Sequence, residues 1–417
     1  MKNAQPNGDH LNNKYLTGRR ILITLLIVLG ITGLFVSNYI YARNFPGGKF
    51  FITQWTATRA VLLESESPYS PNVLYQIQNN GYGRPAMNGE FEFRFNYPYY
   101  AMLFFMPASL IKDYPLARAV WMLLLELLVL ATFIACLNLS NWKPNMKVGV
   151  LLFLFFTTGY HTLKAIIDGN LIIFSTLLIV LVTICIRNKS DEIAGVLLAG
   201  LTAQIQYFIL PIIAFIWFAV HKRRINIVWF FLGTLTVLIG FSLLFQPNWI
   251  REYAQQLWLS IINNPYGSFL LTMSSQFGEL GTRIGITLSL VASFLIIFEW
   301  FLIRNKSYRS IIWFIFLLMG VSLFSGLPME IGNIFLLLPG LIFILSVTSN
   351  RWLSRGDLVV FIIVVFLFSS TWALYFFQRG MIPGYFETPI YLGLLPLTEI
   401  ILLYWSKWWI QKPPSMA

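Results

Sequence analysis

NFPGGKFFITQWTATRAVLLESESPYSPNVLYQIQNNGYGRPAMNGEFEFRFNYPYY, residues 44–100, is the longest part of this chain with no apolar run of membrane length. It follows one obvious membrane helix and precedes almost unbroken hydrophobic sequence. It holds Glu64, Glu66, Glu90 and Glu92, four of only 17 acidic residues. The rest of the chain is suited to lipid, so chemistry on a water-soluble or headgroup substrate belongs under or beside this loop.

Of the 417 residues, 57% are hydrophobic and 11% charged, where a soluble domain carries about a quarter charged. Mean hydropathy is +0.69. These values define an all-α polytopic membrane protein. Residues 21–42 form a first span, longer than a signal-peptide core and with no small-residue cleavage site behind it. Lys14, Arg19 and Arg20 precede it and place residues 1–20, read as a tail, in the cytoplasm. The net charge of +12 reflects basic residues bunched in short loops, not a nucleic-acid partner. Cys136 and Cys185 lie in apolar sequence and read as packing residues. His10, His161 and His221 are scattered, so neither a metal nor another cofactor is expected.

Further spans are expected near 98–112, 116–138, 147–162, 170–186, 193–220, 225–246, 284–304, 309–326, 331–348, 357–377 and 388–406. With the first, this makes about twelve in one transmembrane domain over 21–406, followed by a cytoplasmic tail at 407–417. The basic clusters 221–224, 304–306, 351–355 and 407–412 then share the N-terminal side, and the polar loops 43–97 and 247–283 share the other. Arg187 and Lys189 misfit, being left outside. Segments 98–112 and 147–162 are short, and either could be re-entrant, which would shift the topology locally. Within the first loop, Ile52, Trp55, Arg59, Leu62 and Leu63 recur at helical spacing, with Thr53, Gln54 and Thr58 opposite. That pattern predicts a short helix in the membrane interface, with Trp55 at headgroup level.

The strings GGKFFITQWTATRAVLLESESPYS, RFNYPYYAMLFFMPASLI and ARAVWMLLLE resemble glycosyltransferase family 87. The resemblance rests on Trp55 and Arg59, Pro68-Tyr69, Tyr97-Pro98, and Ala117-Arg118 with Trp121. Further along, Gly169-Asn170, residues 194–211 and residues 325–339 look like later family segments. The family implies a GT-C-like fold and transfer of a sugar from a polyprenyl-phosphate carrier to a glycan or lipid acceptor. It also implies a location in the plasma (inner) membrane, with both termini cytoplasmic and the reaction on the outer face. Two positions depart from the pattern. Phe50 stands where members carry an Asp, and Gln204-Ile205-Gln206 stands for a Lys-Pro-Gln.

Such a donor calls for a base for the acceptor hydroxyl, cations near the leaving phosphate and an apolar groove for the prenyl tail. Glu64 and Glu66 end the loop helix and are candidate bases, or else a solvated helix end. Glu90 and Glu92 alternate with aromatic residues in an extended segment and read as loop solubility. Arg59 and Arg94 are candidate phosphate partners or headgroup contacts. Asp168, beside Gly169-Asn170 at the edge of a span, is either a functional group at membrane depth or a helix N-cap. Gln204 and Gln206 line a polar cavity or bond between helices. Glu330 is placed to approach the same cavity. Tyr69 and Tyr97, with Tyr99, suit sugar stacking or an aromatic belt. Glu126, Glu299 and Glu399 read as pairing residues. The rival reading is a non-catalytic lipid-linked-saccharide transporter or assembly factor that kept the fold, and Phe50 favours it.

Cysteines introduced at Ser70 and Asn264 are expected to react with an impermeant thiol reagent on intact cells, and one at Asn226 is not. Labelling at 226 from outside would overturn the orientation.

Overall fold

A computed structural model describes residues 8–87, 90–263, 269–324, 330–352, 355–379 and 389–411; Asn264, Ser325, Pro328, Met329 and Lys412 fall outside them. Among these residues the secondary structure is helical, with no strand. The helices are α1 (Gly8–Asn44), α2 (Lys49–Glu64), α3 (Pro71–Tyr82), α4 (Met102–Ser109), α5 (Tyr114–Leu139), α6 (Met146–Thr158) and α7 (Tyr160–Asp168). They continue as α8 (Ile172–Arg187), α9 (Asp191–Gly200), α10 (Ile205–His221), α11 (Ile225–Phe245), α12 (Trp249–Ile262), α13 (Phe269–Ile303) and α14 (Tyr308–Phe324). The last three are α15 (Leu338–Arg351), α16 (Gly356–Arg379) and α17 (Pro389–Gln411). Eight helical stretches among the described residues are long and apolar enough to cross a bilayer; α8 and α14 are apolar but shorter. The residues of α14 from Ser310 to Phe324 are all buried, so this helix is the axis of the bundle. α1, α11 and α16 show mostly exposed apolar side chains and form its rim.

Four stretches differ from the sequence expectation, each for a local reason. The tail is helical from Gly8, because lengthening an existing helix avoids the cost of nucleation. Residues 52–63 are helical as expected, but α2 is not a one-sided interfacial helix. Phe51 to Gln54, Thr56 to Thr58 and Ala60 are all buried, so protein surrounds much of it. Segment 98–112 does not cross. It folds as a 3-10 turn, Tyr99–Ala101, and then α4, eight residues with Pro107 inside, roughly 12 Å long. The Tyr114 hydroxyl donates to the Gly47 carbonyl at 2.6 Å, which keeps both ends of this segment at one end of the bundle.

Stretch 193–220 is also not one rod. As a straight helix, 191–221 would separate its ends by about 45 Å. Instead Arg224, just beyond α10, donates to the Asp191 carboxylate at 3.1 Å and to the Ile186 carbonyl at 2.8 Å. The chain turns back at the 3-10 segment Leu201–Gln204, where Gln204 leaves helical geometry (φ −129°, ψ 53°). Thr202 in that turn shares a 2.7 Å hydrogen bond with Tyr100, far from Arg224. The two differences cancel in direction. All later spans keep their orientation, and Arg187 with Lys189 moves to the end that holds the other basic loops. Contacts from Arg187 to the Asn138 carbonyl, His221 to Asn305 and Asn145 to Asp357 tie that end together.

At the opposite end, two pairs of side chains cap helix C-termini with N–H donors. From α2, Trp55 Nε1 donates to Ile111 O (3.1 Å) and Arg59 Nη1 to Ser109 O (3.0 Å), closing α4. From α5, Arg118 Nη2 donates to Ile167 O (3.0 Å) and Trp121 Nε1 to Gly169 O (3.1 Å), closing α7. Cationic donors suit the negative end of a helix. Arg118 also holds Phe45 O at 2.8 Å, joining the loop before α2 to the end of α7. Arg118→Met leaves these carbonyls without their donor, at a cost of roughly 1–3 kcal/mol each. The variant is expected to unfold at a clearly lower temperature in detergent, and Arg118→Lys to recover only part of the loss. An unchanged melting temperature for Arg118→Met would show that the loop and α7 are held some other way.

Candidate active site

The start of α2, the end of α7 and residues 330–333 meet beside the irregular segment 91–97, where Phe93 has φ +52°. Lys49 Nζ lies 2.8 and 2.9 Å from the two Glu330 carboxylate oxygens and 3.8 Å from the centre of the Phe91 ring. Lys164 Nζ is 3.2 Å from Asp168, one helical turn away. Close contacts of Gly169 with Phe51 and of Gly332 with Ala165 bring the two ion pairs side by side as one group of four charges. Asp168 is 7% exposed, and a carboxylate this buried needs such partners.

Two glycines make the approach possible. Gly169 has φ +72°, which reverses the chain after α7, and a Cβ there would sit 2.5 Å from Phe51 Cβ. A Cβ at Gly332 would come within 3.0 Å of Ala165 Cα. Both residues let α2 and the 330–333 segment lie directly on α7.

A polar wall stands behind the charges. Asn170 Nδ2 donates to Asn333 Oδ1 (2.8 Å), and Asn333 Nδ2 donates to the Tyr207 hydroxyl (2.9 Å). Gln54 Nε2 donates to the Tyr97 hydroxyl (3.0 Å), and Gln204 is buried nearby. The Gln54 and Gln204 Oε1 atoms are buried without a partner. In front, Phe50, Phe91, Glu92, Arg94, Tyr207 and Glu330 line a small cavity. α12 closes over it: Gln256 accepts from Arg94 and donates to Tyr69 O, and Asn263 donates to Glu92.

The structure thus brings Asp168, Asn170, Tyr97, Gln204, Arg94 and Glu330 together. Asp168 is the last residue of α7 and caps no N-terminus; Asn170 Oδ1 takes the Ile172 amide at the start of α8 instead. Tyr69 lies one contact away, donating to Tyr97 O at 2.8 Å. Burial pushes both tyrosine hydroxyls up, Tyr97 to about 12, so they remain proton donors at neutral pH. Gln206 is buried in α10 with its Oε1 unpartnered. Arg59 is used in closing α4 and packs over Trp55. Glu64 ends α2, roughly 22 Å from Lys49 along the helix, and Glu66 lies just beyond the C-cap Ser65. Glu64 accepts from Gln76, and Glu66 from Ser70 and Asn72 at the start of α3. Glu90 is held near a pKa of about 2, by Arg84 first and the Met87 amide next, which makes it a poor base at neutral pH. Sequence reasoning missed Lys49, Lys164, Asn333 and Tyr207. The i, i+4 spacing of Lys164 and Asp168 was the available signal; Lys49 offered only a cation after a Gly-Gly turn.

Residues 95–327, more than half of the chain, match the model of glycosyltransferase family 87, and the chain belongs to that family. It is therefore placed among membrane glycosyltransferases, with Tyr97, Arg118, Trp121, Asp168, Asn170 and Gln204 inside the matched region. No curated protein and no solved structure matches.

Gly169→Ala is expected to cut sugar transfer by an order of magnitude or more, by pushing α2 off α7. Gly83→Ala shares the positive φ but meets no atom within 4 Å, and should retain activity. Equal activity of the two variants would show that the contact between α2 and α7 is not needed for the site.

Proposed function

We propose that this cavity moves a sugar from a polyprenyl-phosphate carrier to a glycan or lipid hydroxyl on the outer face of the plasma membrane. The observation that carries the reading is the charged group of Lys164, Asp168, Lys49 and Glu330, assembled from distant parts of a family 87 chain. Its end of the bundle lies opposite the basic loops, which face the cytoplasm by the positive-inside rule. Glu330 lines the cavity and Asp168 stands behind it. Glu330 takes the proton as the acceptor oxygen bonds to the sugar's anomeric carbon. The bond from that carbon to the phosphate oxygen breaks with its electron pair, and polyprenyl phosphate leaves.

A place for the tail lies along the same helix. An apolar groove of about 320 Å³ is lined by Thr58, Val61, Leu62, Tyr99, Leu103 and Phe241 among others. Phe50, Gln54, Thr58 and Leu62 form an i, i+4 row on α2 that runs from the cavity to the groove. A donor laid along α2 sets its charged head at Lys49 and its tail toward lipid.

Glu330→Gln is expected to lower turnover on the order of 10²-fold or more, the usual size for loss of a general base. Glu64→Gln and Glu66→Gln should stay near wild type; loss of turnover in either would move the chemistry to the groove end of α2. Phe50 on the cavity wall favours the second reading, a non-catalytic carrier of lipid-linked saccharide. Full transfer activity in both Glu330→Gln and Asp168→Asn would exclude either carboxylate as the base. Absence of transfer by the wild-type protein, with saccharide export intact, would support the carrier.

Leu103→Trp fills the groove. It should raise KM for a long-chain polyprenyl donor and leave KM for a donor of two isoprene units unchanged. Equal KM changes for both donors would remove the groove from the tail path.

A further inference from the structure

We infer that Glu330 is the resident occupant of an anion site, and that a phosphate exchanges with it on Lys49. The inference rests on the reading of polyprenyl phosphate as the sugar donor and names the device that arms the base. Lys49 is the first residue of α2, where the positive end of a 16-residue helix and an ammonium group coincide. Both Glu330 oxygens occupy that position, and the Phe91 ring covers Lys49 from another side. Every other cation at the site already has a carboxylate: Arg94 has Glu92 and Lys164 has Asp168. An entering phosphate must therefore take a cation from a carboxylate, and Lys49 beside the cavity is the one set at a helix N-terminus.

The exchange gives each group a second state. With no donor, Lys49 holds both oxygens of the Glu330 carboxylate, which leaves neither turned to an acceptor hydroxyl. With the donor bound, Lys49 bonds to phosphate oxygen and supports the charge that develops as the leaving group departs. Glu330 is then freed toward the cavity to accept the proton of the acceptor hydroxyl. The same substitution that the family pattern makes puzzling becomes consistent. The acid expected at position 50 is supplied by Glu330, and the cation missing at 204–206 is supplied by Lys49. Both residues lie outside the stretch 95–327, so this pair is found through the fold.

Competition has a signature that a structural ion pair lacks. Binding of undecaprenyl phosphate to the full-length protein in lipid nanodiscs would be measured for wild type, Glu330→Gln, Lys49→Met, Lys49→Arg and the double variant Lys49→Met/Glu330→Gln. Glu330→Gln should bind more tightly than wild type, on the order of 10-fold, because nothing competes for Lys49. Lys49→Met should bind more weakly by a similar factor, Lys49→Arg should keep most of the affinity, and the double variant should match Lys49→Met. Undecaprenol, phosphatidic acid and inorganic phosphate serve as comparison ligands. Tight binding of undecaprenyl phosphate alone identifies the carrier, whereas equal competition by phosphatidic acid or inorganic phosphate identifies a general phosphate site. Affinity in Glu330→Gln at or below wild type, with its melting temperature retained, would overturn the exchange while leaving the carrier reading intact. Wild-type protein that binds undecaprenyl phosphate no better than undecaprenol would remove both.

Discussion

The arrangement depends on a guanidinium held in the interior without a carboxylate. Arg118 is 1% exposed and its hydrogen bonds run to backbone carbonyls, Phe45 before α2 and Ile167 near the end of α7. A planar, rigid donor group can join two chain segments in this way; a lysine ammonium has no such fork. The cost of burying the charge is offset in part by the helix C-terminus it faces. Trp121, one turn later on α5, fixes the next carbonyl of the same reversal, at Gly169. Lys49 and Asp168 therefore stand close because α5 grips the backbone next to each of them.

Much of the fold was legible from hydropathy, because a bilayer leaves few options for backbone hydrogen bonds besides helices. The apolar stretches of α1, α5, α11 and α16 stand close to where the pattern put them. Two segments were misread for opposite reasons. Segment 98–112 is apolar enough to cross, but Pro107 and the tie from Tyr114 to Gly47 leave it a short re-entrant element. Stretch 193–220 is long enough for one tilted helix, and the glycine beside the reversal, Gly200 just before Leu201–Gln204, is a residue that helices also tolerate. The shortness of 98–112 had hinted at a re-entrant element there, and the misfit of Arg187 and Lys189 at a crossing assigned in the wrong place.

The site was legible where a polar group interrupts apolar sequence. Asp168, Asn170, Gln204 and Glu330 stood out for that reason, and the fold gathers them. Lys49 did not stand out, since a cation in a polar loop is ordinary until Glu330, 281 residues away in sequence, is seen beside it. Glu64 and Glu66 were attractive because they are adjacent to each other and to the loop helix. A helix converts that adjacency into distance from Lys49, and their oxygens are engaged in ordering α3. Trp55 was read as a headgroup-level anchor and Arg59 as a phosphate partner or headgroup contact, but both serve the C-terminus of α4.

The group of four charges sums to zero, and this has a consequence for proton traffic. In the proposed transfer, the sugar linked to a polyprenyl phosphate is a phosphodiester with one negative charge. The carrier it leaves behind is a monoester that tends toward two. If the acceptor proton rests on Glu330, the carboxylate loses one negative charge as the phosphate gains one. The total inside the site is then the same before and after the sugar moves. In that proposed reaction the cavity beneath α12 is spared a change of net charge. The imbalance appears only when Glu330 gives up its proton, an event that opening toward water can time with departure of the dianion.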